Sequence, residues 1–122
     1  MSNNLTLLID LCNQHERLPS NIETKIFNSD DNSLIQYYLD KIGVKENGCV
    51  AFRLYYYARY IIKDRWYEAE PIIATNACWA YCYAKNVIKD RWYEAETVIT
   101  TNKLWASGYC KHFSITESEL CS

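Results

Sequence analysis

The feature that most constrains the fold of this chain is a unit of 26 residues that occurs twice in succession. The segment Leu54–Trp79 aligns without a gap with Ala80–Trp105. Within it, the run IKDRWYEAE is identical at Ile62–Glu70 and Ile88–Glu96, and a third copy begins at Ala106 and fades. A period of roughly 20 to 50 residues is typical of stacked repeat architectures, in which each unit packs mainly against its neighbours.

The apolar pattern inside each unit predicts a short helix and a long helix joined by tight corners. The residues expected to face inward on the long helices are Val50, Leu54, Tyr57, Ala58, Ile61 and Ile62 in the first copy and Ala80, Tyr83, Ala84, Val87 and Ile88 in the second. A single unit cannot bury its apolar face alone, so neighbouring units must supply the other wall. The sequence therefore predicts an all-α fold, a short helical-repeat solenoid of eight or nine short helices in a single domain.

This pattern divides the domain into three parts along the chain. Residues 1–48 form N-terminal capping and divergent repeats, residues 49–113 form the regular repeats, and residues 114–122 form a tail. The Thr116–Glu119 segment contains capping residues, but the tail has few apolar side chains to bury and is expected to fray.

Several residues carry signals for the beginning or end of a helix. Ser20 and Glu23 fit a capping box, in which the two side chains satisfy free amides at a helix start. Gly43 suits the left-handed position that follows a helix. Asp64 and Asp90 occupy equivalent places in the two units and are expected to end the long helices in the left-handed conformation.

Composition and charge exclude several functional classes. The net charge is −2 with acids and bases interspersed, so there is no broad basic footprint for nucleic acid and too little charge for a DNA mimic. No stretch approaches the roughly 18 apolar residues of a membrane span, and the N-terminus lacks the features of a signal peptide. We therefore expect a cytoplasmic protein whose six cysteines are free thiols.

No cluster of residues predicts catalysis or a cofactor. Arg65 and Arg91 recur beside tryptophans and glutamates, and we interpret them as architectural residues that pair with a carboxylate and stack on the adjacent indole. The residues that offer the soft ligands for zinc are Cys78, Cys82, Cys110 and His112, but their spacing fits no closed zinc motif. His15 and His112 lack a nucleophile or acid partner. The predictions are therefore no enzyme, no metal and no cofactor.

Tyrosines and arginines are concentrated on one predicted long helix. The candidate partner-binding residues are Arg53, Tyr55, Tyr56, Arg59 and Tyr60. Tyr and Arg are favoured anchors in protein interfaces, which makes a protein partner the first hypothesis. Three alternatives stay open: stacking on unpaired bases, a self-complementary face in a homo-oligomer, and solvated faces with no partner. In the nucleic-acid alternative, the contacts come from Arg53, Arg59, Lys85 and Lys89 with neighbouring tyrosines.

The stretches YARYIIKDRWYEAEPII and YAKNVIKDRWYEAETVI resemble a repeat family often seen in tailed-phage and large-virus genomes. Units of that family approximately follow YAxxVIKGRWPEAE. The resemblance covers Tyr55 to about Cys110 and, more loosely, Arg17–Ile42. It implies a viral origin and a small α-helical solenoid, and it implies no activity and no site residues.

The chain departs from that pattern at two positions in each unit. Asp64 and Asp90 stand where Gly is usual, and Tyr67 and Tyr93 stand where Pro is usual. Together with the aromatic helix, the resemblance favours a non-enzymatic phage-type module that binds and inhibits a host protein of a defence or transcription system. Its expected location is then the host cytoplasm.

Overall fold

Short helices make up the described part of the chain, which covers residues 4–13 and 16–121 of this computed structural model. The α-helices are α1 (Asn4–Leu11), α2 (Ser20–Phe27), α3 (Asn32–Lys41), α4 (Val50–Tyr57), α5 (Glu70–Ile73), α6 (Ala77–Tyr83), α7 (Glu96–Ile99), α8 (Lys103–Phe113) and α9 (Glu117–Cys121). These residues contain no β-strand, so the predicted all-α, single-domain class is confirmed.

The two copies of the repeat adopt the same local structure. Helix α4 runs into a π-turn at Ala58–Ile62, and α6 runs into a π-turn at Ala84–Ile88. The chain then turns a corner and enters the next short helix through a 3₁₀ turn. At the corner, Trp66 has φ −116° and ψ 83°, and Trp92 has φ −118° and ψ 86°. The predicted repetition of a long and a short helical segment is therefore confirmed.

The long helices of the two regular units end one residue earlier than expected. In each π-turn the closing bond runs five residues back, from Lys63 N to Ala58 O and from Lys89 N to Ala84 O, both at 2.7 Å. The left-handed residues are these lysines, with φ 63° and 65°. The assignment of that role to the following aspartates is wrong. Asp64 instead accepts a hydrogen bond at 2.8 Å from the backbone N–H of Arg65.

The left-handed lysines predict a stabilising substitution. An L-residue in this conformation costs roughly 1 to 2 kcal/mol because its Cβ crowds the backbone, whereas glycine escapes that cost. We expect Lys63→Gly or Lys89→Gly to raise the free energy of unfolding by about 1 kcal/mol each, measured by urea denaturation. The matched control is Lys85→Gly, which removes the same charge inside a helix and should lower stability by about 1 kcal/mol. Destabilisation by all three substitutions would contradict the conformational argument.

The long helical segments α3, α4, α6 and α8 contact one another in succession, and the core lies between them and the short segments. The small residues Ala58, Ala80 and Ala84 are completely buried at this contact, as the repeat predicts. Ile61, in contrast, is 58% exposed. The prediction that Ile61 faces inward is wrong, because the π-turn inserts an extra residue and changes the direction of the side chains that follow Ala58.

Trp79 and Trp105 each contact the long helical segment that precedes their own. The ring of Trp79 stacks on Tyr55 at a centroid distance of 5.5 Å and lies 4.8 Å from the ring of Phe52. Trp105 lies 5.9 Å from the ring of Tyr81. Both indoles are only partly buried, so they line the edge of the inter-unit contact, whereas Trp66 and Trp92 fill its interior.

Of the helix-end predictions for Gly43 and for Ser20 with Glu23, the first is confirmed and the second is wrong. Gly43 has φ 96° and ends α3 as predicted. The capping box at Ser20 and Glu23 is wrong, since Pro19 is the N-cap of α2 and no side chain caps the helix. Glu23 instead turns into the core, where it is completely buried.

The C-terminal segment forms one helical turn that packs against the last unit. Thr116 and Glu119 form a capping box, with Thr116 N 2.8 Å from Glu119 Oε1 and Glu119 N 3.1 Å from Thr116 Oγ1. Leu120 is buried, and α9 contacts α7 and α8. The predicted capping by Thr116–Glu119 is therefore confirmed, and the fraying of the tail stays a prediction.

Candidate partner-binding surface

A repeated ion pair holds the corner of each unit. The guanidinium of Arg65 donates two hydrogen bonds to the carboxylate of Glu70, at 2.8 and 2.9 Å. Arg91 donates to Glu96 in the same way, with both bonds at 2.9 Å. This fork geometry fixes both side chains, so the architectural interpretation of the arginines is confirmed.

A tyrosine from the next unit closes each corner. The hydroxyl of Tyr83 donates to Glu70 Oε2 and accepts from Trp66 N, both at 2.7 Å. Tyr109 makes the equivalent bonds one unit later, to Glu96 Oε2 at 2.6 Å and from Trp92 N at 2.7 Å. Because the tyrosine and the glutamate belong to different units, this network links neighbouring repeats.

The divergent N-terminal part contains a third version of the network. Arg17 donates to Glu23 at 2.7 and 2.8 Å, and the hydroxyl of Tyr38 donates to Glu23 at 2.6 Å. The same hydroxyl accepts from Leu18 N at 2.9 Å. Glu23 also accepts a bond of 3.0 Å from the indole N–H of Trp66, 43 positions further along the chain. The loose resemblance of residues 17–42 to a repeat unit therefore has a structural counterpart.

The arginines of the corners stack on tyrosine, and the prediction that they stack on the adjacent indole is wrong. Arg65 lies 4.7 Å from the centroid of the Tyr67 ring, and Arg91 lies 4.6 Å from that of Tyr93. These two tyrosines are 65% and 67% exposed although they are identical in the two copies. Identity between the two copies therefore does not by itself indicate that a residue is buried between the repeats.

Two of the five candidate partner-binding residues are internal. Arg53 is 4% exposed and donates to Asp40 Oδ1 at 2.6 Å, to Val44 O at 2.7 Å and to the side chain of Gln36. Tyr55 is equally buried. The assignment of Arg53 and Tyr55 to an exposed surface is wrong, because they lie on the faces of α4 that pack against α3 and α6.

The other three candidates form a contiguous surface at the end of the first long helix. The rings of Tyr56 and Tyr60 lie 4.7 Å apart, and the guanidinium of Arg59 lies 4.9 Å from the centroid of the Tyr60 ring. Tyr60 is 46% exposed, and the next residue along the chain is the exposed Ile61. We call Tyr56, Arg59, Tyr60 and Ile61 the helix-end surface. Sequence analysis missed Ile61 because its outward position depends on the π-turn.

A groove of about 400 Å³ lies beside this surface, where the two π-turns contact each other. The residues that line it are Arg59, Tyr60, Lys63, Lys85, Asn86, Val87 and Lys89. We call it the basic groove, because it collects four cationic side chains and its lining contains no carboxylate. It brings together three of the four cations proposed for nucleic acid, and the fourth, Arg53, lies in the core.

The cysteines offer no combination of ligands in the described ranges 4–13 and 16–121. Cys12, Cys49, Cys78, Cys82 and Cys110 form no disulfide. Burial raises the pKa of the Cys82 thiol to about 11, so this group stays protonated at neutral pH. No group of three or more possible metal ligands occurs in these ranges, and His15 lies outside them.

No family model, no curated protein and no solved structure matches this chain. Among the residues with a described position, no helix is both long and apolar enough to cross a membrane. The similarity to a viral repeat family therefore remains a prediction. The function has to be argued from the helix-end surface and the basic groove.

Proposed function

We propose that this protein is a non-catalytic binding module that attaches to an acidic region of a partner protein through the helix-end surface. The observation that supports this most is the exposure of Tyr60 and Ile61 beside Tyr56 and Arg59. Large aromatic and arginine side chains at a packed, partly dry surface are the residue types that contribute most to protein interfaces. The adjacent basic groove favours a partner with clustered negative charge.

Protein is the better partner class for this surface than nucleic acid. Ile61 is 58% exposed, and an aliphatic side chain of this size gains free energy when a partner removes it from water. The rings of Tyr56 and Tyr60 already pack against each other, and Arg59 packs on the latter. These contacts leave less ring surface for a stacked base than an open aromatic platform would offer.

The scaffold supports this role because it presents the surface in a fixed geometry. Arg59 is held by a hydrogen bond of 2.7 Å to the hydroxyl of Tyr55, which also accepts from Asn86 of the next unit at 3.0 Å. A preordered side chain loses less conformational entropy when a partner binds. If the chain has the viral origin that its repeats suggest, the partner is a host defence or transcription protein, inhibited by covering its acidic surface.

The proposal is tested with two substitutions in the surface and one outside it. We expect Tyr60→Ala or Ile61→Ser to weaken partner binding about thirtyfold, which corresponds to a loss of about 2 kcal/mol. The matched control is Tyr93→Ala, which removes a tyrosine that is 67% exposed in the other corner. Affinity capture from a host lysate identifies the partner, and titration calorimetry measures each variant. Equal binding by the wild type and both surface variants would refute the assignment.

A second candidate function is binding of single-stranded nucleic acid, which the four cations of the basic groove favour. In this case affinity falls steeply with added salt, because phosphate binding releases counterions. Titration of an oligonucleotide at two salt concentrations, with Lys85→Ala and Ile61→Ser, separates the two candidates. Protein binding depends mainly on the isoleucine, and nucleic-acid binding depends mainly on the lysine. A homo-oligomer, the remaining alternative, is recognised by its mass in light scattering.

A further inference from the structure

The basic groove is built from equivalent positions of two successive units. Arg59 and Lys85 are 26 positions apart, and so are Lys63 and Lys89, so each π-turn supplies the same pair of sites. The π-turns contact each other, which places the second pair beside the first. Stacking of the repeat therefore concentrates four positive charges on one side of the molecule.

None of these four cations forms a salt bridge with a carboxylate of the described residues. Arg17, Arg53, Arg65 and Arg91 each form an ion pair with a carboxylate. Arg59 forms no such pair with a carboxylate of the described residues, and it donates a hydrogen bond to the neutral hydroxyl of Tyr55. The three lysines of the groove also form no ion pair with any carboxylate in residues 4–13 and 16–121. An unneutralised cluster of this kind attracts anions strongly.

The backbone at two of these lysines gives a second, independent indication. Lys63 and Lys89 have φ 63° and 65°, a conformation in which glycine or asparagine would be less strained. Strain that recurs at one charged position in both units is a reason to look for a role of its side chain. The left-handed turn places each lysine at the rim of the groove, directly after the π-turn that forms its wall.

We propose that the basic groove is a binding site for a compact polyanion that carries at least two phosphoryl groups. Its volume of about 400 Å³ lies within the usual range of small-ligand sites. The guanidinium of Arg59 offers a planar fork for phosphate oxygens, and the three lysines add mobile point charges. A single carboxylate would neutralise only one of four cations, whereas a diphosphate matches most of the charge.

Two sources offer this chemistry: a free nucleoside diphosphate and a protein segment with two neighbouring phosphorylated residues. Neither source requires the apolar contact of the helix-end surface, so the site is tested on the protein alone. The probe is inorganic pyrophosphate, titrated calorimetrically into the full chain at low and at physiological salt, while NMR follows the amides of Lys63, Asn86 and Lys89. We expect saturable one-site binding that weakens with salt, and amide shifts concentrated at the groove.

The decisive variant is Lys63→Gly combined with Lys89→Gly. It removes two charges and introduces the residue that the left-handed backbone prefers, so the thermal midpoint should not fall. We expect affinity for pyrophosphate to drop about tenfold or more. The matched control, Lys103→Ala with Lys111→Ala, removes the same charge from exposed positions outside the groove and should change affinity less than about twofold.

The outcomes separate this site from the proposed function. No saturable binding at low salt, or equal losses in the groove and control variants, would overturn the polyanion site. Ile61→Ser should leave pyrophosphate binding intact even where it abolishes capture of a protein partner. ADP and a doubly phosphorylated serine peptide are then compared with pyrophosphate. A tighter complex that depends on Lys63 and Lys89 identifies the source, and equal affinity of all three shows that the site recognises two neighbouring phosphoryl groups whatever molecule carries them.

Discussion

Replacement of Glu23 by alanine should remove a large share of the stability of the domain. Its carboxylate is completely buried and accepts hydrogen bonds from Arg17, from the Tyr38 hydroxyl and from the Trp66 indole. Without it, a guanidinium and two buried donors lose their acceptor together. Loss of one member of a buried ionic network costs about 3 to 5 kcal/mol. That is a large share of the roughly 5 to 15 kcal/mol available to a domain of this kind.

Urea denaturation followed by circular dichroism measures this loss, and the repeat supplies graded controls. Glu70→Ala removes the equivalent carboxylate of the next corner, which pairs with Arg65 and Tyr83. It should cost less, because the Glu70 side chain itself is 11% exposed whereas Glu23 is completely buried and also accepts a hydrogen bond from an indole. Glu119→Ala removes an exposed glutamate that caps the C-terminal turn. Apart from the loss of this cap, the substitution should lower the free energy of unfolding by well under about 1 kcal/mol. A Glu23 variant as stable as the Glu119 variant would show that the buried network contributes little.

The repeat architecture could be predicted because two nearly identical segments meet nearly identical neighbours. Trp66 and Trp92 adopt the same backbone angles within a few degrees, and Ala58, Ala80 and Ala84 are buried as the spacing indicates. Small residues that recur at a fixed period allow neighbouring helices in a stack to approach each other closely. The structural role of such positions can therefore be predicted from the local sequence.

The position of Glu23 could not be predicted from its surroundings. A serine followed three residues later by glutamate fits a capping box, and the local pattern contains nothing against it. The partners that draw the carboxylate inward instead, Tyr38 and Trp66, lie 15 and 43 positions away. Tertiary contacts at that separation are invisible to a pattern of adjacent residues, and here they decide the conformation.

The candidate surface was only partly predictable for two physical reasons. Tyrosine and arginine have both apolar and polar parts, so their position on a helix does not determine burial. Arg53 and Tyr55 are buried although they are polar, and the terminal nitrogens of Arg53 and the hydroxyl of Tyr55 form hydrogen bonds. The π-turn is the second reason, because a bond that reaches five residues back changes the helical period at one point only. It exposes Ile61 and brings Lys63 and Lys89 to one groove.

The same buried network should make the protein unusually sensitive to alkali. Burial, together with hydrogen bonds to Glu23, Glu70 and Glu96, raises the pKa of Tyr38, Tyr83 and Tyr109 well above the usual value for tyrosine. The folded protein therefore holds these three protons more tightly than the unfolded chain does. Their contribution to stability is complete below about pH 10, where both states are protonated, and it is lost as the pH rises further.

The expected loss is steep, because each tyrosine contributes about 1.4 kcal/mol per pH unit above the unfolded pKa. Three such groups acting together would unfold a domain of ordinary stability within about one to three units above pH 10. Urea denaturation at a series of pH values gives the slope, and absorbance at 295 nm shows whether these tyrosines ionise only on unfolding. Cys82, whose thiol pKa is raised to about 11 by burial, adds a smaller loss in the same direction.

A pair of phenylalanine substitutions isolates the network from the other titrating groups. Tyr83→Phe removes one of the three hydroxyls and should lower stability at neutral pH by about 1 to 2 kcal/mol, because Trp66 N and Glu70 lose a partner. The alkaline slope of this variant should nevertheless be shallower by about one third. Tyr93→Phe, at an exposed position outside the network, should change neither quantity. Equal slopes for the two variants would mean that general charge repulsion, and not the buried tyrosines, causes alkaline unfolding.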